Sequence, residues 1–183
     1  MAILISFIPW FLFWRFAVYK KMELMAALSG ILAVSAIIIR NKRCGRAVKS
    51  LQIGTLLFFI LFAVTVPIFG KDAIARNVDL LGNSAIIVII LVTIVLRRPF
   101  AIEFARERTP KEHWQDPRFI RLGYVVSWFW FGVLSVNFCL VVARHFHFIE
   151  IARWLSVLIR ILNCVIAMKS IRWYLRRRQV FNM

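Results

Sequence analysis

The stretch Ala85–Leu96, AIIVIILVTIVL, constrains the fold more than any other part of the chain. It carries no charge and no alternation of apolar with polar residues. A membrane β-barrel strand alternates, so this run is excluded as one. A chain crossing lipid as a single segment has to satisfy all its backbone groups internally, which leaves the α-helix. The run belongs to a longer one, Leu80–Leu96, and five others resemble it: Ile3–Val18, Met22–Ile39, Leu51–Phe69, Gly123–Ala143 and roughly 149–171. A span needs about 20 residues, within a range of about 17–25. Five runs meet that length. The first is short, is broken by Pro9 and carries Arg15, so it is either a tilted or kinked span or a partly inserted segment.

Composition agrees with this reading. Of 183 residues, 62% are hydrophobic, against about 45–50% in soluble domains. The expected architecture is therefore all-α: a polytopic transmembrane helix bundle of five to six spans, forming a single integral membrane domain over residues 1–183. The N-terminus is apolar from its second residue and lacks the basic region and small-residue cleavage site of a signal peptide, so it reads as part of the mature protein.

The charge is unusual for so apolar a chain: 25 Lys and Arg against 8 Asp and Glu, a formal net charge of +17. In a soluble protein this would point to nucleic acid. Here most of the basic residues lie in short stretches between apolar runs. Five lie in Arg40–Lys49 and seven in Arg97–Arg121, and the tail holds Arg172, Arg176, Arg177 and Arg178. The intervening connections hold fewer. Basic residues favour cytoplasmic loops, so these three stretches, including the C-terminus, are expected on the cytoplasmic side. No nucleic-acid partner is expected, and anionic phospholipids are. Trp154 and Trp173 bracket the last run, about 28 Å apart along a helix, at the levels where interfacial aromatic residues collect.

The loop RRPFAIEFARERTPKEHWQDPRFIR is the most unusual connection. Pro99 and Pro110 frame a short helix, with Phe100 and Phe104 on one face and Glu103, Arg106 and Glu107 toward the other. This predicts an interfacial amphipathic helix in the 97–122 loop. Its candidate residues are Arg97, Arg98, Pro99, Phe100, Glu103, Arg106 and Trp114. Glu103, Glu107 and His113 are possible acids or bases, but no HExxH, paired-carboxylate or comparable motif accompanies them. A lipid-surface helix with paired charges is therefore favoured over a catalytic loop.

The sixth run offers a second candidate. Arg153, Ser156, Arg160, Asn163, Ala167 and Ser170 recur at spacings of three and four, which places them on one helix face. Polar and small residues suit a helix–helix contact rather than lipid. Arg160, Asn163, Ser156 and Asn137 form the candidate intramembrane polar site, with Asn137 a candidate hydrogen-bonding partner for Arg160. An intramembrane arginine either marks a functional site or snorkels to the interface. The stripe predicts that Arg160 faces the bundle interior or a cavity open toward the periplasm. The three cysteines, Cys44, Cys139 and Cys164, lack metal-ligand spacing, and the latter two are expected as buried free thiols. His145 and His147 do not converge on a helix. No catalytic, cofactor-binding or metal-binding residue is expected.

The short Pro-containing start FIPWFLFWRFAVYKKMELMAA, the span ending TVPIFGKD, the RRPF junction and the KEHW loop before an aromatic span resemble the bacterial inner-membrane family called intracellular septation protein A. Arg97–Phe100 and Glu103–Arg106 carry the best match. The resemblance implies a five-span protein of the bacterial inner membrane that acts without catalysis in cell-envelope maintenance or septation. Its expected partners are membrane proteins of envelope synthesis or division, with self-association left open. Two alternatives remain: a small transporter or lipid-handling protein with a polar cavity around Arg160, and an intramembrane enzyme using the 97–122 loop.

Overall fold

The structure, a computed structural model, describes residues 2–17, 22–69, 71–107 and 109–146, together with positions 159, 162, 163, 165, 166, 169 and 170. Its elements are α1 (Ala2–Ala17), α2 (Glu23–Arg43), α3 (Ser50–Phe69), α4 (Lys71–Val95), α5 (Phe100–Ala105), a single 3₁₀ turn (Lys111–His113) and α6 (Pro117–His145). Among the described residues, four helices are long and apolar enough to cross a membrane: α2, α3, α4 and α6. The protein is a helical membrane bundle.

The second to fifth apolar runs lie within α2, α3, α4 and α6 to within a residue, but two of these helices extend well beyond theirs, and most of the sixth run lies outside the described residues. α4 begins at Lys71, nine residues before Leu80, and α6 begins at Pro117, six before Gly123. Hydropathy marks the lipid-embedded part of a helix, whereas the backbone continues until a cap ends it. For α6 that cap is local. Asp116 accepts a 2.7 Å hydrogen bond from the Arg118 N–H, and Pro117 occupies the first turn, where a missing N–H costs nothing.

α2 ends in a Schellman motif. The Arg46 N–H donates to the Asn41 carbonyl and the Gly45 N–H to that of Lys42, with Gly45 at φ +66°. α4 ends the same way, with Arg98 N–H to Thr93 O and Arg97 N–H to Ile94 O. Here, however, the left-handed position is filled by Arg97, at φ +56°. A side chain costs about 1–2 kcal/mol in that conformation.

The helices pack in a chain of neighbours: α1 on α2, α2 on α3, α3 on α4, and α4 on α6. The buried positions of α6 are Gly123, Ser127, Trp130, Leu134, Asn137 and Val141, alternating steps of four and three. That repeat gives the left-handed interdigitation common in membrane bundles. Close approach depends on small residues. A Cβ at Gly30 would lie 2.7 Å from the Phe59 ring, so α2 and α3 meet only because that position is glycine.

α1 is fully part of this packing. Trp10 and Phe13 are completely buried against Phe58, Phe59 and Phe62 of α3, and the Trp10 indole N–H donates to Thr55 Oγ1 at 3.2 Å. At 16 residues it is about 24 Å long, shorter than the hydrocarbon layer.

Cys44 and Cys139 are free thiols. Cys139 is exposed rather than buried, because it lies on the outward face of α6, where an apolar side chain suits lipid as well as a core. Cys164 lies outside the described residues.

Candidate functional site: a polar clasp between two loops

The turn between α2 and α3 meets the α4–α6 connection at one end of the bundle. The two basic loops that the charge pattern placed together are therefore in contact.

The clasp starts at α3. The first N–H groups of a helix lack intrahelical acceptors. Gln52 reaches back so that its Oε1 accepts from the Lys49 N–H at 3.3 Å, one half of a capping box. The Ser50 N–H donates to Glu103 Oε2 at 2.7 Å, and the Ser50 hydroxyl donates to Glu103 Oε1 at 2.5 Å. A carboxylate from a distant segment thus caps α3, at the end where the helix dipole favours negative charge.

Gln52 is the hub of a second set. Its Oε1 also accepts from Asn41 Nδ2 at 3.2 Å, and its Nε2 donates to Ser6 Oγ at 3.3 Å. One buried amide therefore joins α1, α2 and the start of α3.

Lys49 is the least expected member. Its side chain is only 4% exposed, and its ammonium lies 2.6 Å from Glu107 Oε1 and 4.7 Å from the Phe104 ring centroid. The ring face and the carboxylate together replace the water the ammonium has lost.

α5 holds both carboxylates in place. Phe100 and Phe104 are buried as the i,i+4 spacing predicts, and so are Ala101 and Ile102. The short helix is therefore a wedge under α6, covered on more than one face. Ile102 sits in a notch at Gly123, where a Cβ would fall 2.0 Å from Ile102 Cγ1. The Ala101 N–H donates to the fully buried Ser127 hydroxyl at 3.3 Å.

The remaining loop candidates have structural places. Pro99 is buried and Arg97 and Arg98 are exposed. Arg106 lies 5.2 Å from the Trp114 ring, whose indole N–H donates to the Thr109 carbonyl.

The second candidate site is described only in part. Asn163 Nδ2 donates to Asn137 Oδ1 at 2.9 Å, and Asn137 is buried. This ties α6 to the sixth run. Ser156 and Arg160 lie outside the described residues.

Sequence reasoning missed Lys49, Asn41, Gln52 and Ser50. Only the Gly45 turn and the Lys49–Gln52 spacing offered a local signal. It also missed the ion pair of Arg144 with Asp79 at the opposite end. Both residues sit just outside the apolar runs.

Chemically, the clasp's carboxylates are engaged as a helix cap and as an ion-pair partner, an arrangement that fastens segments together. No protein-family model, curated protein or solved structure matches the chain.

Proposed function

We propose that this protein is a scaffold of the bacterial inner membrane, acting in envelope maintenance or septation by holding membrane partners rather than by turning over a substrate. The clasped loops and the C-terminus face the cytoplasm. The observation that carries the reading is the engagement of Glu103 and Glu107: the two loop carboxylates best suited to acid–base work instead cap α3 and neutralise Lys49. A rigid loop platform suits partner binding. The resemblance at Arg97–Phe100 and Glu103–Arg106 points in the same direction.

The test combines deletion with crosslinking in living cells. Loss of the gene should give misplaced or delayed septa. A photo-crosslinker at Lys111, exposed beside the clasp, should capture envelope-synthesis or division proteins. Normal morphology together with crosslinks to lipid alone would overturn the reading. Labelling of Lys42→Cys from the periplasmic side would overturn the orientation.

A second reading has its own support in the Asn137–Asn163 pair. Two amides bonded inside an apolar bundle suit a small transporter or lipid-handling protein with a polar path. Lipid or solute transfer in proteoliposomes, lost in Asn137→Leu, would favour it over the scaffold.

A further inference from the structure

The exposed charges of the clasped end are mostly basic, with Glu112 an exposed acid among them. Glu103 is engaged by Ser50, Glu107 pairs with Lys49 from the rim, and Asp116 is occupied by the Arg118 N–H. Lys42, Arg43, Arg46, Arg97 and Arg98 are all exposed. The buried Lys49 is neutralised, and basic residues outnumber acidic ones on the outer surface.

Arg97 adds a second observation. It occupies the left-handed position of a helix C-terminal motif, where glycine is the usual residue. Cations favour helix C-termini through the dipole, but that does not require this strained position. Non-glycine residues held in such conformations concentrate at ligand contacts.

The level of the turn indicates the ligand. Val95 and Leu96, the two residues before Arg97, are among the most exposed apolar side chains of the protein, at 70% and 65%. In a bilayer they face acyl chains. The guanidinium groups of Arg97 and Arg98 then follow at the level where lipid phosphates begin.

We propose that the Arg97–Arg98 turn, with Lys42 and Arg43 at the end of α2 and Arg46 just after it, is a binding surface for the phosphate headgroups of anionic phospholipids. Arg supplies forked donors matched to phosphate oxygens. The apolar end of α4 holds the chains of the same lipid. This goes beyond the scaffold reading and does not depend on it: lipid retention is read on the isolated protein and septation in cells, so each can fail alone.

The experiment uses the full chain in nanodiscs of equimolar phosphatidylcholine and phosphatidylglycerol, with co-purifying lipid counted by native mass spectrometry. The wild type should retain phosphatidylglycerol preferentially. Arg98→Gln, which leaves the strained backbone untouched, should reduce the preference about fivefold, and Arg97→Gly/Arg98→Gln on the order of twenty-fold, at about fivefold per charge near the surface. The double variant should melt no lower than wild type, since glycine relieves the left-handed strain. A wild type without preference overturns the proposal, as does a double variant that keeps it. Equally tight binding of inorganic phosphate in phosphatidylcholine nanodiscs, lost in the same variants, would also overturn the lipid assignment.

Discussion

The two ends of the bundle handle buried polarity in opposite ways. At the clasped end, Ser6, Asn41, Lys49 and Gln52 are all nearly inaccessible, and each is held by partners from other segments. At the far end, the Arg144–Asp79 ion pair is partly exposed, with side chains 23% and 39% accessible. Nearby, the buried Trp14 indole N–H has no acceptor among the described residues, although it lies close to Gly82. An unmet buried donor costs about 1–3 kcal/mol. One end is thus specified by satisfied polar contacts, the other by apolar packing and a pair that water can replace. Polar groups in a core cost stability unless fully satisfied, and when satisfied they exclude alternative arrangements. The clasp is where this fold is most narrowly defined.

The sharpest break of that contrast is Glu107→Gln. It leaves the Lys49 ammonium buried without its counter-charge and should cost about 3 kcal/mol, read as a fall in melting temperature in detergent. The reverse change, Lys49→Met, should cost less, because Glu107 lies nearer the rim and can turn to water. Equal losses from the two would show that the lysine is not truly desolvated.

Next in size is Gly123→Ala, which drives a Cβ into Ile102 and should cost about 2 kcal/mol by overpacking. Adding Ile102→Ala should recover part of that loss. If it recovers nothing, the notch does not seat the wedge. A smaller change of opposite sign is expected for Arg97→Gly, a gain of about 1 kcal/mol from relieved backbone strain. Asp79→Asn at the far end should cost about 1 kcal/mol, since water reaches both partners of that pair. A loss as large as that of Glu107→Gln would erase the difference between the two ends.

The same contrast explains what was legible in the sequence. Helices α2 to α4 and α6 were visible because lipid demands long apolar runs, and the short α5 because Pro99, Phe100 and Phe104 carry a local pattern, although it was expected at the lipid surface rather than as a wedge buried also at Ala101 and Ile102. The true starts of α4 and α6 were not visible, since Asn77, Asp79 and Arg118 continue a helix in polar residues that hydropathy ignores. Glu103 was singled out as a possible acid, yet its role as the cap of α3 depends on Ser50, 53 residues away in sequence. No local pattern encodes such a meeting. Lys49 looked like one more basic loop residue, because burial of a lysine depends on what folds over it. The left-handed backbone at Arg97 has no signature either, since glycine would have been the expected residue there.

The notch at Gly123 also has a consequence for biogenesis. Ile102 and the rest of the wedge emerge from the ribosome before residues 117–145, yet the surface that receives them belongs to that later helix. Until α6 has entered the membrane, Ile102 has no seat, and Glu103 and Glu107 are not fixed opposite Ser50 and Lys49. The first loop therefore keeps only its own contacts, such as Asn41 to Gln52, while most of the protein is already synthesised, and it gains its Glu103 and Glu107 partners when the notch is delivered. Chains arrested just before Pro117 should be cut readily by protease within residues 44–49, and chains released after His145 should resist.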